Sequence, residues 1–218
     1  MTLLPVFLRL EGRPVLVVGA GTVGLAKIRS LHATGARLSV VAPKAVAEVQ
    51  ALAAEDALEW HPRRFAASDL EGVFLVIAAT NDSVVNRGIY EEARRRNVLC
   101  NAVDDPPNCD FYFGSVVNRG DVQIAVSTGG RSPALAQRLR REIDAQLPED
   151  LGRWLAELGK LREEIRAAVP AGESRTQLLH ALAERQVCSA ADCPARRFAE
   201  ERAEAIRNEE AKKVKATA

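Results

Sequence analysis

The chain has 218 residues, enough for one or two domains with a substantial core. Lys and Arg number 30 against 29 Asp and Glu, so a net charge of +1 gives no overall attraction to nucleic acid or to an anionic membrane. The three histidines are scattered and the four cysteines form no C-x-x-C pair, so we predict no protein metal site. No stretch reaches ~18 uninterrupted apolar residues, and no secretory signal is visible. We therefore expect a cytoplasmic protein with reduced thiols and no membrane span.

The first half of the chain alternates short apolar runs with amphipathic segments. The runs predict strands at 15–18, 38–42, 73–78 and 98–101, with a weaker edge strand at 58–61. Continuous apolar runs are typical of strands buried on both faces of a parallel sheet. Helices are predicted between them, over 22–34, 44–55 and 83–96. This alternation predicts an α/β fold with a Rossmann-type doubly wound parallel sheet.

The pattern changes after residue 112. Two short strands, 115–117 and 122–126, flank the turn 118–121 and predict an antiparallel hairpin. Helices are predicted over 133–146, 149–168, 175–185 and 194–213, with a break at 170–172. We therefore expect three regions: a Rossmann domain at 1–113, a small α+β region at 114–147 and a helical region at 148–218.

A glycine motif, G-x-G-x-x-G, directly follows the first strand and opens the first helix. Gly19 is expected to allow the tight turn, Gly21 to let the backbone approach a pyrophosphate, and Gly24 to let the helix pack closely on the sheet. The free amides at the helix start would then receive the phosphates. A purely structural glycine turn is the alternative.

The end of the second strand lacks the acid that usually accepts the ribose hydroxyls of NAD. The strand ends instead at Pro43 and Lys44, whose backbone could hold the ribose. Because Lys44 would favour a 2′-phosphate, the choice between NAD and NADP stays open here.

Two further segments end at the same edge of the predicted sheet, where ligands bind in open α/β folds. Thr80 and Asn81 follow the third strong strand, and Asp104 follows the fourth. This position puts Asp104 beside a bound nicotinamide, where loss of water would make it a usable base. For the neighbouring Asp105, turn formation before two prolines is the better interpretation.

A third motif spans residues 127–133. Ser132 as a helix cap and Pro133 at the first helical position predict a helix start. The preceding Gly129 and Gly130 would make a concave set of amides suited to an anion. An ordinary capped turn is the alternative.

Taken together, these motifs resemble the siroheme synthase family, in particular its precorrin-2 dehydrogenase and sirohydrochlorin ferrochelatase module. The resemblance covers roughly residues 3 to 165, and the motifs that carry it are 17–24, 78–82, 101–104, 109–111 and 127–136. It departs from the family at Gly24, where alanine is frequent, and at 112–114, where an apolar-Pro pair is usual. No methyltransferase domain is present in the chain, so a separate protein is expected to methylate uroporphyrinogen.

The resemblance implies NAD-dependent oxidation of precorrin-2 to sirohydrochlorin, and in many members insertion of Fe²⁺ as a substrate to give siroheme. It also implies a homodimer with a dimerisation region beginning near residue 114. The catalytic carboxylate would be Asp104. The predicted cofactor-binding residues are Gly19, Gly21, Thr22, Val23, Gly24, Pro43, Lys44, Thr80 and Asn81. The predicted tetrapyrrole-binding residues are Asn101, Ser127, Thr128, Gly129, Gly130 and Ser132.

Two other interpretations remain open. A dehydrogenase without chelatase activity would have the same residues, because Asp104 is expected in both. A non-enzymatic, ligand-sensing Rossmann module would explain the glycine motif but not the loop at 127–133.

Overall fold

The computed structural model describes residues 3–183 together with Glu201, Glu204 and Asn208. The chain divides into two compact units, with the boundary between Phe113 and Gly114. A further division at residue 148 stays a prediction. The helix predicted over 194–213 falls outside the described residues, apart from the three positions named above.

The first unit contains a five-stranded parallel sheet. Its strands are β1 (Pro14–Ala20), β2 (Arg37–Ala45), β3 (Glu59–His61), β4 (Leu75–Ala78) and β5 (Leu99–Ala102), in the spatial order β3-β2-β1-β4-β5. The connecting helices are α1 (Thr22–His32), α2 (Ala47–Ala54) and α3 (Ser83–Arg95). This confirms the predicted doubly wound sheet, and the weaker strand at 59–61 lies at its edge as expected. The chain reverses its direction of travel between β1 and β4, which makes their carboxyl ends the switch point where ligands bind in such folds.

The apolar runs are continuous because both faces of the sheet are covered. Val17 and Ile77 lie on the face covered by α1 and α2, whereas Val18 and Val76 lie on the face covered by α3. All four side chains are at most 2% exposed. Successive strand residues point to opposite faces, so each run supplies both halves of the core.

The second helix starts later in the structure than in the prediction, which placed it over 44–55. The structure extends β2 to Ala45 and starts α2 at Ala47. Ala45 pairs with Ala20 of β1, and the Val46 amide donates to the Ala20 carbonyl at 3.1 Å. These main-chain bonds hold Lys44 in the strand, although its helix propensity is good.

The second unit begins with the predicted hairpin, formed by β6 (Ser115–Arg119) and β7 (Val122–Val126). Its helices are α4 (Pro133–Gln146), α5 (Leu151–Ala168) and α6 (Glu173–Ala183). Arg119 of β6 pairs with Asp144 of α4 at 2.6 Å and ties the hairpin to that helix. Leu161 and Leu182 belong to a buried cluster between α5 and α6. None of the described helices is both long and apolar enough to cross a membrane.

The buried centre of the sheet gives a direct test of this core. Ile77→Ala should lower the free energy of unfolding by about 2–5 kcal/mol, because it leaves a cavity in β4 where the side chain is 0% exposed. Urea unfolding followed by circular dichroism measures this change. Val84→Ala is the matched control, since Val84 is 78% exposed on α3 and should change stability by less than about 0.5 kcal/mol. Equal effects of the two substitutions would contradict the packing described here.

Candidate active site

The glycine turn brings three elements of the first unit together. Gly19 has φ +103°, and a Cβ atom there would lie 2.3 Å from the Ala79 carbonyl oxygen, just after β4. A Cβ atom on Gly24 would lie 2.2 Å from the Gly19 carbonyl oxygen. These two glycines therefore let β1, α1 and the end of β4 approach more closely than any side chain would allow.

The middle glycine has a different environment. Gly21 has φ −82° and ψ −169°, and a Cβ atom there would meet nothing within 4 Å. It is the N-cap of α1, where no side chain accepts from the first amides and no acid stands in the first turn. Thr22 and Val23 are exposed beside it. Uncapped amides, a positive helix end and open space fit the pyrophosphate of a dinucleotide.

The carboxyl end of β2 lies beside this turn, because Ala45 pairs with Ala20. Pro43 and Lys44 are exposed there, and β2 carries no carboxylate. Lys44 forms no ion pair or hydrogen bond with any described residue. Its ammonium group is therefore available to a ligand at the position expected for the adenosine ribose.

Thr80 and Asn81 follow β4, but the Thr80 side chain is used within the protein. Its hydroxyl donates to Asn86 Oδ1 at 2.6 Å, and Asn86 Nδ2 donates to the Thr80 carbonyl at 3.1 Å. Asn81 is exposed, and Asp82 caps α3 by accepting from the Val84 amide at 2.9 Å. Thr80 thus shapes the turn through both its side chain and its main chain, and Asn81 is the exposed residue that follows it.

Sequence analysis missed Asn86, which is only 5% exposed. The signal was present, because Asn86, Ile89 and Ala93 share the helical spacing of an inward face and all three are buried. A polar residue on that face indicates a specific hydrogen-bonding partner, here the turn after β4.

Asp104 and Asp105 follow β5 and have different environments. Asp104 is exposed with φ +60°, a left-handed conformation that Asp and Asn adopt more readily than most residues. Its carboxylate has no hydrogen bond or ion pair within the part of the chain that the structure describes. Asp105 instead accepts from Asn108 Nδ2 at 2.6 Å, which supports its interpretation as a turn residue.

Asn101 is 7% exposed, and its side chain holds a neighbouring segment of the chain in place beside β5. Its Nδ2 donates to the Phe111 carbonyl at 2.8 Å, and Asn101 forms an antiparallel bridge with Cys109. Asp110 Oδ2 accepts from the Cys100 amide at 2.9 Å. The segment 109–111 is therefore fixed beside β5, and the Asn101 amide group is engaged in holding it.

Lys27 of α1 is a further residue that sequence analysis missed. Its Nζ lies 3.9 Å from the centroid of the Phe113 ring, and Phe113 contacts Phe111 at 5.7 Å between centroids. Burial lowers the pKa of the Lys27 ammonium, while the neighbouring Asp104 and Cys109 oppose that shift by their charge. No sequence signal marked it, because a lysine in an amphipathic helix is normally solvated.

The two cysteines near the site are neutral thiols. Burial raises the pKa of Cys100 to about 12 and also raises the pKa of Cys109. Cys109 Sγ donates to the Ala102 carbonyl at 3.1 Å. Neither is therefore a ready nucleophile at neutral pH. The described residues contain no group of three side chains suited to hold a metal ion.

The loop 127–132 belongs to the second unit and bonds mostly to itself. Thr128 Oγ1 accepts from the Ser132 amide at 3.2 Å and donates to the Ser132 carbonyl at 3.1 Å, while Ser127 Oγ accepts from the Gly129 amide at 3.2 Å. Gly129 and Gly130 have φ values of +60° and +78°. Ser132 caps α4 as predicted, accepting from the Leu135 amide at 3.2 Å. Gly130 is exposed, and its amide has no hydrogen-bond partner among the described residues.

The glycine turn, the uncapped helix start and the switch point define a Rossmann-type dinucleotide-binding protein. Residues 6–115 match the family model for putative NAD(P)-binding proteins, and residues 119–146 match the model for the central part of sirohaem biosynthesis proteins. The chain therefore belongs to the putative NAD(P)-binding family, and its second match is to the central part of sirohaem biosynthesis proteins.

Individual relatives agree with this assignment. The chain is 47% identical over 163 residues to siroheme synthase 1 of Cronobacter sakazakii, which covers 75% of this chain and 35% of that protein. It is 42% identical over 167 residues to siroheme synthase of Neisseria meningitidis serogroup C, covering 77% and 35%. The chain thus spans 35% of the length of each of these relatives. The solved structure of SirC, precorrin-2 dehydrogenase, is similar with a TM-score of 0.79 at 27% identity, covering 93% of this chain and 99% of that one.

The glycine turn predicts two opposite mutational effects. Gly21→Ala should leave the free energy of unfolding within about 0.5 kcal/mol of the parent, because the methyl group meets open space. It should weaken NAD binding about tenfold, or about 1.4 kcal/mol, by obstructing the approach of the pyrophosphate. Isothermal titration calorimetry and urea unfolding measure the two quantities.

Gly19→Ala is the contrasting variant. It should cost about 3 kcal/mol of stability, since the new Cβ atom is both strained and in collision with Ala79. Unchanged NAD affinity in Gly21→Ala would mean that the turn is structural only.

Proposed function

We propose that this protein uses NAD to oxidise precorrin-2 to sirohydrochlorin in siroheme biosynthesis. The observation that carries the proposal is the match to SirC, a precorrin-2 dehydrogenase, over 93% of this chain and 99% of that one. The exposed, unpartnered carboxylate of Asp104 at the carboxyl edge of the sheet supports it further.

The chain offers a separate group for each part of the cofactor. The amides of Thr22 and Val23 would hold the pyrophosphate at the start of α1, with Gly21 giving room for its approach. The backbone of Pro43 and Lys44 would hold the adenosine ribose, and Asn81 lies at the same edge of the sheet. When bound, NAD supplies the acceptor for the hydride that leaves the macrocycle.

Asp104 is proposed as the base that takes a proton from the macrocycle during oxidation. Its carboxylate is not occupied by any described residue, whereas Asp105 is held by Asn108 at 2.6 Å. A base must reach the proton that it removes, and an exposed side chain on a defined turn meets that requirement. A bound substrate would exclude water from the Asp104 carboxylate and so make that carboxylate a better base.

The choice of NAD over NADP is part of this proposal and follows the family resemblance. The unpaired Lys44 is the group that would favour a 2′-phosphate, so the two cofactors must be compared directly. A strong preference for NADP would assign Lys44 to that phosphate and overturn the NAD proposal.

Insertion of Fe²⁺ into sirohydrochlorin is proposed as a second activity, with the metal as substrate. Metal insertion releases two pyrrole protons, so Asp104 would serve as base in both reactions. The loop with Ser127, Thr128, Gly129, Gly130 and Ser132 is proposed to face the tetrapyrrole. Asn101, whose amide group holds the segment 109–111, is proposed to support tetrapyrrole binding indirectly. The exposed Gly130 and the start of α4 suit the carboxylates of the tetrapyrrole. An enzyme with dehydrogenase activity alone is the alternative.

We further propose a cytoplasmic homodimer that receives its substrate from a separate uroporphyrinogen methyltransferase. The described chain exposes large apolar side chains that a second copy would cover, including Leu4 (82%), Phe7 (69%) and Val116 (39%). The region 114–147 is the proposed dimerisation element. The free thiols of Cys100 and Cys109 suit a reducing compartment.

A coupled assay tests the activity, the cofactor and metal insertion in turn. Precorrin-2 is generated in situ, NAD and NADP are supplied separately, and Fe²⁺ or Co²⁺ is then added with sirohydrochlorin in the absence of nicotinamide. We expect NADH formation at 340 nm, little activity with NADP, and a metallated product. Absence of a metallated product would remove the chelatase activity, and absence of any NADH would favour a ligand-sensing Rossmann module.

Asp104→Asn tests the proposed base. Asn tolerates the left-handed backbone at this position, so the turn should persist while proton transfer is lost. We expect kcat for precorrin-2 oxidation to fall at least a hundredfold, about 2.7 kcal/mol, with NAD affinity nearly unchanged. Asp105→Asn is the matched control and should retain most activity. Turnover within about threefold of the parent, about 0.65 kcal/mol, would contradict the assignment.

A further inference from the structure

We propose that Lys27 binds a carboxylate of the tetrapyrrole next to Asp104 and so fixes the macrocycle against the base. This inference rests on the proposed function, because it assigns a substrate contact at the same site. It concerns a residue that neither the glycine motif nor the predicted tetrapyrrole loop includes.

The position of Lys27 follows from the helix that carries it. Helix α1 starts at the glycine turn, at the carboxyl edge of the sheet, and Lys27 lies five residues after its first residue. At about 1.5 Å of rise per residue, its Cα is within ~8 Å of the helix start along the axis. The neighbouring Ile28 packs in the same core cluster as Val103 and Phe111, so α1 covers the face of the sheet from which the Asp104 turn emerges.

The end of the side chain is held in a defined place. Lys27 Nζ lies 3.9 Å from the Phe113 ring centroid, and Phe113 is itself packed against Phe111. Lys27 is half-buried, whereas Phe113 is 38% exposed. The aromatic ring therefore directs the ammonium group without supplying a counter-charge of its own.

The ammonium group lacks an ion-pair partner among the residues that the structure describes. Arg29, two residues later on α1, forms a two-point pair with Glu48, with Nε to Oε1 at 2.6 Å. Within the described part of the chain, Lys27 has no carboxylate within 4 Å and no hydrogen-bond acceptor. Asp104 is the acid with the strongest electrostatic effect on the Lys27 ammonium group, yet the two side chains do not form an ion pair.

The Lys27 cation itself is what makes an incoming carboxylate favourable at this place. Two groups raise the pKa of Lys27, namely Asp104 and Cys109. Because Cys109 is a neutral thiol at pH 7, Asp104 carries the only formal negative charge of these two groups. A half-buried cation with no ion-pair partner among the described residues has a free-energy cost that a bound carboxylate would offset. A substrate carboxylate on Lys27 would also leave Asp104 free to act as a base, which a closed Lys27–Asp104 ion pair would not.

A purely structural cation–π contact with Phe113 is the competing explanation. Such a contact contributes about 0.5–1 kcal/mol at exposed sites and predicts lower stability on removal of the charge. It predicts no change in tetrapyrrole affinity. Substrate binding and stability therefore separate the two explanations.

The experiment compares Lys27→Met and Lys27→Arg with the parent protein. Anaerobic absorbance titration gives the Kd for sirohydrochlorin, calorimetry gives the Kd for NAD, and the coupled assay gives kcat and KM for precorrin-2. Lys27→Met should raise the sirohydrochlorin Kd and the precorrin-2 KM about tenfold or more, with kcat within about threefold and NAD affinity unchanged. Lys27→Arg should restore most of the affinity. Added salt should weaken binding less in Lys27→Met than in the parent.

The matched control is Arg37→Met, which removes the same formal charge from an exposed side chain at the amino end of β2, the opposite edge of the same sheet. It should leave the sirohydrochlorin Kd unchanged. Urea unfolding of each variant checks that the fold is retained, and Lys27→Gln provides the same test if the Met variant does not fold.

Three results would overturn the inference. Parent-like sirohydrochlorin affinity in Lys27→Met would leave only the contact with Phe113, and equal weakening by Arg37→Met would indicate a general charge effect. A fall in kcat at constant KM would mean that Lys27 acts through Asp104 instead of binding substrate. If the parent protein neither binds nor oxidises the tetrapyrrole, the proposed function itself fails, and this inference fails with it.

Discussion

The close approach of Gly24 to the Gly19 carbonyl is the contact on which the nucleotide end of the first unit depends. A Cβ atom at Gly24 would lie 2.2 Å from that oxygen, and one at Gly19 would lie 2.3 Å from the Ala79 carbonyl oxygen. Helix α1 can therefore start directly at the end of β1, with its first amides at the switch point of the sheet. The open space at Gly21, the exposed end of β2 and the turn after β4 all surround this one junction.

Polar groups at the carboxyl edge of the sheet fall into two sets. Thr80, Asn101 and Asp105 are engaged in hydrogen bonds that shape the loops after β4 and β5. Asp104 and Lys27 have no such partners among the described residues, although Asp104 lies in the loop that those bonds shape and Lys27 lies on helix α1. Internal hydrogen bonds thus define the backbone, and the remaining charges are left for a ligand. This division is consistent with the proposed activity, in which the cofactor supplies the redox chemistry and the protein needs few ionisable groups.

Much of the fold was predictable from local patterns, because strands buried on both faces leave continuous apolar runs and glycine motifs have fixed mechanical roles. The end of β2 was not predictable in this way, because Lys44 has good helix propensity. Only the pairing of the neighbouring Ala45 with Ala20 keeps this part of the chain extended. At the candidate site, the position of Asp104 just after a strand was predictable, and its role as the base stays a proposal. The environment of Lys27 was not predictable, because it depends on Phe113, which is 86 positions away in sequence and is brought near only by folding. The engagement of Thr80 by Asn86 likewise required the packed helix.

The segment that follows Asp104 also affects how the sheet meets other proteins. An outer strand of a sheet leaves main-chain donors and acceptors open to strand addition from another molecule. Here the Asp110 amide donates to the Cys100 carbonyl at 2.8 Å, and the Asp110 carboxylate accepts from the Cys100 amide at 2.9 Å. The outer rim of β5 is therefore already occupied by the chain's own backbone and side chain. The same few residues that support the proposed base thus protect this rim against aggregation by intermolecular strand pairing.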